Sequence, residues 1–276
     1  MKRIIKLLFL ALCLFSFVQA QNVKVITYNL RYDNPKDGEN QWQLRKGLVT
    51  DLIKFYSPDV WGTQEGLAGQ LAFLDSALTD YKHFGIGRDA NGSGEHCAIF
   101  YNTKRFKLVK QSTFWLSETP DVISKGWDAA LNRICTYGLL KDLKTKKQIW
   151  VFNTHFDHIG TQARINSAKL IYEKINSLNK EHYPVVLMGD FNLEPETEPI
   201  KYLTGVLNNT MFTAELIYGN SGTFNGFEFC KPVKEVIDYI FTTKKGFKAL
   251  KYAVLTDSRN CRYLSDHLPV YAELKY

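Results

Sequence analysis

The chain has 276 residues, 45% hydrophobic and 23% charged, which is enough apolar material for a large core and excludes a charge-driven disordered chain. Its formal charge of +7 includes Lys2, Arg3 and Lys6 of a leader-like start; without those three, the 35 basic side chains fall to 32 against 28 acidic ones. That mild excess is compatible with a phosphate-bearing substrate and does not demand nucleic acid.

In chain order, residues 1–20 read as a secretory signal. Lys2, Arg3 and Lys6 precede the apolar run Leu7 to Val18, and Val18-Gln19-Ala20 supplies a cleavage site that leaves Gln21 as the new N-terminus. The run is short for a membrane span, which needs about 20 apolar residues. Leu12 before Cys13 does not suit lipidation. The expectation is therefore an exported protein, periplasmic or extracellular, without stable membrane insertion. Residues 21–276 are expected to form one domain and to act as a monomer.

Val23 to Tyr28 has the composition of a strand ending at Asn29. A turn cluster, Asn34 to Gly38, follows. Leu48, Val49, Leu52, Ile53 and Tyr56 recur at helical spacing up to Ser57-Pro58. Asp59 to Thr63 reads as a short strand leading to Gln64-Glu65, and Gly66 to Leu78 as a helix. Cys97 to Tyr101, Phe106 to Leu116, Arg133 to Asp142 and Gln148 to Thr154 read as strands. A helix is predicted from Thr161, and buried strands over Val185 to Met188 and Val236 to Phe241. Lys144 to Lys147 and Lys244-Lys245 read as solvated turns. Strands occur both in runs and alternating with helices, so the fold class is mixed α/β, or α+β. Cys97 and Cys135 fall in apolar runs as buried thiols; Cys230 and Cys261 fall in late loops where a bridge is permitted.

Polar residues interrupt these apolar runs in a chemically coherent way. Hard divalent cations choose carboxylate and amide oxygens, and Glu65 and Asn29 offer them. Asp190 and Asn192 lie two apart, so on an extended segment they would share a face. One could activate water while the other holds a phosphate oxygen. Asp238 sits inside an apolar strand and needs a partner, for which His267 is the candidate. His155 offers a further donor to developing charge, and Arg133 could bind a phosphate. Trp115, Trp127 and Tyr137 are candidates for the pocket wall, although aromatics are more often core, and the segment Ser117 to Asp128 is a candidate for shaping the pocket. Arg164 reads as an ion-pair partner. The bland readings are an Asn29 turn, a Glu65 helix start and an Asx turn at Asp190.

Six segments together resemble the endonuclease/exonuclease/phosphatase superfamily, the DNase I-like proteins. They are Thr27-Tyr28-Asn29-Leu30, Thr63-Gln64-Glu65, Asn153-Thr154-His155, Gly189-Asp190-Phe191-Asn192, Ile237-Asp238-Tyr239-Ile240 and Ser265-Asp266-His267. The stretch His155-Phe156-Asp157-His158 resembles a secreted bacterial subgroup. The resemblance implies a four-layer sandwich, two packed β-sheets flanked by helices. It also implies a metal-dependent phosphoesterase using Mg²⁺ or Mn²⁺. Glu65 is then the metal ligand, with Asn29 and Asp266 near the metal. Asp190 activates water, and Asp238 with His267 is the acid/base or phosphate-orienting pair. The Ile-Asp-Tyr-Ile and Ser-Asp-His segments look closest to the deadenylase-like branch, which puts a phosphodiester first, with nucleic acid among the candidate partners. A phosphatase or phospholipase-C-like enzyme on sugar, inositol or lipid phosphates is the alternative. Two rivals from other classes are a serine hydrolase built on Ser265, Asp266 and His267, and a non-catalytic binding protein on the same scaffold.

Overall fold

The computed structural model describes residues 22–276, and the leader expected over residues 1–20 lies outside the described residues. Strand β1 (Asn22–Asn29) leads to helix α1 (Trp42–Tyr56), β2 (Val60–Gln64) and α2 (Ala68–Ala77). A hairpin of β3 (Tyr81–Phe84) and β4 (Ile99–Asn102) follows. Strands β5 (Phe106–Trp115), β6 (Ile134–Asp142) and β7 (Gln148–His155) form an antiparallel meander. Helix α3 (Thr161–Leu178) then crosses to β8 (Val185–Asp190), which runs parallel to β7. After α4 (Glu198–Val206) come β9 (Asn208–Asn209), α5 (Thr210–Thr213) and β10 (Leu216–Gly219). The chain ends with β11 (Asp238–Thr242), β12 (Lys248–Val254), the small ribbon β13 (Ser258–Arg259) and β14 (Arg262–Tyr263), and β15 (Val270–Lys275).

These strands build two sheets, ordered β10-β12-β15-β1-β2-β4-β3 and β5-β6-β7-β8-β11-β9. Between them lies a core that includes Val23, Val25, Val60, Val151, Val186, Met188 and Ile240. Helices α1 and α2 bury Val49, Leu52, Ile53, Leu71 and Leu74 against the outer face of the first sheet. Helices α3 and α4 bury Ile171, Ile175, Ile200 and Leu203 against the second. The result is the expected four-layer DNase I-like sandwich. Each such side chain contributes about 1.5–3 kcal/mol of burial.

Strand parity turns this packing into a site. Side chains alternate faces along a strand. Val23 and Val25 face the other sheet, so Thr27 and Asn29 do as well. In β7 the same parity carries Val151, Asn153 and His155 inward; in β8 it carries Val186, Met188 and Asp190; in β11, Asp238 and Ile240. Registry then sets the polar members together, with His155 opposite Asp190 across the parallel pair and Asp238 opposite Asp190 across the antiparallel one. Four strands that are apolar along their length thus end in polar groups at one rim.

Behind that rim the sheets are clamped. Asn153 donates to the carbonyls of Thr63 and Ala98, both at 2.9 Å, and accepts from Gln64 at 2.6 Å. At Gly189 the backbone has φ +152, and a Cβ there would meet the Thr154 carbonyl oxygen at 2.1 Å. Gly189→Ala is therefore expected to cost about 3 kcal/mol by strain and overpacking, read from urea denaturation midpoints. A shift below half that size would show that β7 and β8 can part.

Two sequence expectations change here, at the last buried strand and at Arg164, while the buried thiols are as expected and the bridge left open is not formed. The strand expected over Val236 to Phe241 begins at Asp238, because the N–H groups of Ile237 and Asp238 turn to the Thr223 hydroxyl. Cys230 and Cys261 are free and exposed, and Cys97 and Cys135 are free and buried. Arg164 forms no ion pair among the described residues; it donates to the carbonyls of Asn192 and Ile159, both at 3.3 Å. No helix among the described residues is long and apolar enough to cross a membrane.

Candidate active site

A cleft of about 490 Å³ opens at the polar rim, lined by Glu65, Arg133, His155, Asp190, Asn192, Asp266 and His267 among others. Two loops from the first sheet reach it together because Arg45 of α1 ties them. Its guanidinium donates to Leu30 and Arg31 after β1 and to Leu264 before Asp266. Ser265 adds a bond from its hydroxyl to the Asn29 carbonyl at 2.7 Å. That bond, and the contact of Ser265 Oγ with Asp266 Oδ1 at 3.2 Å, turn the hydroxyl away from a nucleophile's role and remove the basis for a serine hydrolase.

Asp190 is the centre. Its Oδ2 accepts from Asn29 Nδ2 at 2.9 Å and lies 3.4 Å from His155 Nε2 and 3.7 Å from His267 Nε2. Its Oδ1 accepts from the Asn192 N–H at 2.9 Å. Burial pushes its pKa up to about 7, with the Asp238 charge adding to the rise and His267 opposing it. Asn192 does not share an extended face with Asp190. It has φ +50 and closes an Asx turn, and its amide donates to the Phe156 carbonyl at 3.0 Å. The turn and the cleft position coexist in one residue.

Two histidines flank Asp190, and their pKa values are pushed in opposite directions. His267 Nδ1 lies 2.9 Å from Asp238 Oδ2. Burial opposes its charge, but Asp238 and Asp190 outweigh burial and hold its pKa well above the ordinary value. His155 is driven well below the ordinary value by burial and by the guanidiniums of Arg133 and Arg88, so it stays neutral. The second oxygen of Asp238, Oδ1, is buried without a hydrogen-bond partner.

Glu65 is held at φ +60, where its carboxylate accepts from the Tyr32 N–H at 3.1 Å and from Asn29 Nδ2 at 3.2 Å. Asn29 therefore turns its nitrogen to Glu65 and Asp190, while its oxygen accepts from the Arg31 N–H at 2.9 Å. In this arrangement it spaces the two carboxylates. Asp266 is raised mainly by burial, and the Glu65 charge adds to the rise. Arg31 approaches Asp266 at 3.8 Å but is committed to Asp37 through two bonds of 3.0 Å. Crowded carboxylates with oxygen donors suit a hard divalent cation. Glu65 and Asp266 would hold it. Oxygens of Asp190 and Asp238 and a ring nitrogen of His267 also lie within 4.8 Å of one another, but the Asp238–His267 bond occupies that cluster. Glu65→Gln is expected to weaken Mn²⁺ binding at least tenfold by calorimetry, since an amide cannot supply the missing charge. Unchanged affinity would remove Glu65 from the metal site.

Arg133 lies in the wall with its guanidinium anchored at two corners. Nε is 3.3 Å from Asp157 Oδ2, and Nη2 donates to His158 Nδ1 at 3.0 Å. Nη1 is buried and has no partner. Asp157 also accepts from the N–H groups of Leu131, Ile159 and Gly160. The anchors come from the stretch His155 to His158, and they make Arg133 a rigid donor.

The aromatic wall expected from Trp115, Trp127 and Tyr137 is absent from the cleft lining, as is the segment Ser117 to Asp128. Trp115 is buried and donates to the Arg88 carbonyl at 2.8 Å. Tyr137 stacks on Phe152 in the core. Asp128 accepts from Gln162 and Ala163 at the start of α3. The wall is made instead by residues that the sequence reading passed over, notably Arg88, Glu95 and Glu235. For Arg88 and Glu95 the signal is the turn cluster Ala90 to Gly94, flanked by charges of opposite sign; nothing comparable marks Glu235.

The family model described as the endonuclease/exonuclease/phosphatase family matches residues 26–267. A solved mannosyl-6-phosphatase of Bacteroides thetaiotaomicron is 39% identical, covers 92% of this chain and all (100%) of its own, and superposes with a TM-score of 0.88. The human Nocturnin catalytic domain, solved with a bound sulfate anion, is 20% identical, covers 92% of this chain and 94% of its own, and has a TM-score of 0.72, a likeness of fold. The Saccharomyces cerevisiae probable RNA exonuclease NGL3 is 27% identical over 66% of this chain and 40% of its own length. The chain spans 40 to 65% of the length of the first curated relatives it matches.

Proposed function

We propose that this chain, which belongs to the endonuclease/exonuclease/phosphatase family, is an exported phosphatase acting on a phosphorylated sugar. That it is a phosphoric ester hydrolase follows from the family, whose members depend on a divalent metal. The observation that carries the finer reading is the character of the cleft. It is compact, its wall is built from Arg88, Arg133, Glu95 and Glu235, and its aromatic members are Tyr32 and Phe224. Polar hydroxyls suit such a wall, whereas tracking a nucleic acid strand calls for a basic groove with stacking aromatics. The likeness to a mannosyl-6-phosphatase supports the same reading. It moves the expectation from a phosphodiester to the sugar-phosphate alternative.

The residues supply a coherent hydrolysis. Water attacks phosphorus, the bond from phosphorus to the sugar oxygen breaks, and that oxygen takes up a proton from solvent as the sugar leaves. Asp190, with a pKa near neutrality, accepts the proton of the attacking water. The charged His267 and the guanidinium of Arg133, both lining the cleft, face the phosphoryl charge. Neutral His155 and Asn29 keep Asp190 in place. A cation held by Glu65 and Asp266 would neutralise charge on the phosphoryl and leaving oxygens.

The test is phosphate release from hexose 6-phosphates, bis(nitrophenyl) phosphate and single-stranded RNA with Mg²⁺ or Mn²⁺. The sugar phosphates should lead in kcat/KM. Preference for either diester would overturn the reading in favour of a phosphodiesterase. Export is tested by the intact mass of protein from its native host, which should begin near Gln21.

A further inference from the structure

We propose that the Arg88–Glu95 pair reads adjacent hydroxyls of the sugar, making these two residues specificity determinants. The inference rests on the sugar-phosphate reading above and assigns the part of the cleft that recognises the sugar. Both residues lie on the hairpin between β3 and β4. Its strands close through Gly87 N–H to the Gly92 carbonyl, at 3.1 Å, and Asp89 N–H to the Ser93 carbonyl, at 3.0 Å. Asn91, Gly92 and Gly94 supply the left-handed conformations its tip requires, at φ +58, +70 and +77.

The hairpin is moored at both sides of the reacting centre. His96 N–H donates to the carbonyl of Gly66, the residue after Glu65, at 2.9 Å. Asn132, the residue before Arg133, donates to Asp89 at 3.0 Å. The Trp115 indole fixes the Arg88 carbonyl at 2.8 Å. Arg88 and Glu95 are thus placed by the same loops that place the metal carboxylate and the phosphate-facing arginine.

Their side chains meet in two parallel bonds of 2.8 Å and are only 12% and 19% exposed. Both line the cleft. A carboxylate oxygen that accepts one guanidinium proton keeps a second lone pair, and the guanidinium keeps outer N–H groups. The rim of such a pair presents an acceptor beside a donor in one plane. One ring hydroxyl can donate to Glu95 while its neighbour accepts from Arg88. A fully ionised phosphoryl group carries no donor for Glu95 and is repelled by its charge, so a carboxylate here suits the hydroxyl-bearing part of the substrate. Arg133 and His267 face the phosphate instead.

The experiment compares kcat/KM for mannose, glucose and galactose 6-phosphates, their deoxy analogues and phenyl phosphate, with Mg²⁺, in the wild type, Glu95→Gln and Arg88→Lys. In the wild type, removing the hydroxyl that meets the pair should cost about tenfold or more, as expected for a hydrogen bond to a charged group. Glu95→Gln and Arg88→Lys should each lower the ratio of sugar phosphate to phenyl phosphate about tenfold or more, largely through KM, and flatten the deoxy effect. Equal losses on sugar and phenyl phosphates would overturn the inference and leave the pair as a brace of the hairpin. A wild type indifferent to every deoxy change would overturn it without any variant. Failure of the wild type to hydrolyse any hexose 6-phosphate would defeat the substrate reading, and this inference with it.

Discussion

Asp190→Asn should abolish most turnover while leaving the fold at least as stable above neutral pH. General bases contribute about 10²–10⁴-fold, and an amide cannot accept the water's proton, so kcat should fall by that order. The stability half follows from the pKa. Burial raises the Asp190 value to about 7, above that of an exposed carboxyl. A carboxyl raised on folding favours the folded state most below its unfolded pKa. That contribution is lost as pH rises through the folded value, and above it the buried charge is a liability. Asparagine removes that liability and keeps the shape that Asn29, His155 and the Asn192 N–H surround. Thermal melts at pH 8 beside single-turnover rates test both halves. A variant that is inactive because it melts many degrees lower would make Asp190 a structural anchor.

How far the sequence carried this site depends on what kind of signal each residue leaves. Asn29, His155, Asp190 and Asp238 were legible because each is polar at the end of an apolar strand, or inside one. Strand parity then forced all four inward at one rim. Glu65, Asp266 and His267 stand on loops, where parity says nothing; chemistry made Glu65 a cation ligand and His267 a partner for Asp238, and the resemblance placed Asp266 near the metal. Asn192 was misjudged for a physical reason. β8 ends at Asp190, and the chain turns into the left-handed region two residues on, so spacing along an ideal strand no longer applies. For the aromatic residues the core alternative holds. Trp115 and Tyr137 looked like pocket walls, but a buried indole needs a partner for its N–H, and Trp115 found it in the hairpin backbone. Arg88 and Glu95 flank a turn cluster, but a charged pair across a turn resembles any solvated hairpin until burial is known.

The two-sheet arrangement also explains why the site tolerates so much buried charge. Asp190 and Asp238 are paired across β8 and β11, and His155 faces Asp190 across β7 and β8. Backbone ladders fix these distances, so the polar groups do not have to hold themselves together. Cost and order are separated: the cores on both faces of each sheet supply stability, and the rim carries the repulsion. The residue that reconciles the charges is His267, wedged between Asp238 and Asp190 with Phe224 against its ring at 5.0 Å between centroids.

The coupling of His267 to Asp238 is expected to appear as a single functional unit. His267→Ala and Asp238→Asn should each lower kcat by about 10²–10⁴-fold, and the double variant should be little worse than the poorer single one. The reason is positional. Asp238 Oδ2 is 2.9 Å from Nδ1 and fixes both the ring's orientation and its proton, while its other oxygen has no partner and so no second task. Without the carboxylate, burial is left acting against the charge, and the imidazole pKa should drop in a histidine NMR titration. The sign of the stability effect follows. A histidine raised on folding stabilises the protein fully below its unfolded pKa, and that contribution is lost as pH rises through the folded value. Asp238→Asn should therefore reduce the stability gained from His267 protonation most strongly below about pH 6.5, the unfolded reference for histidine. Losses that multiply in the double variant, or an imidazole that titrates unchanged without Asp238, would mean that the two residues act separately. In that case the charge on His267 would have to come from Asp190, 3.7 Å away, with Asp266 adding to it.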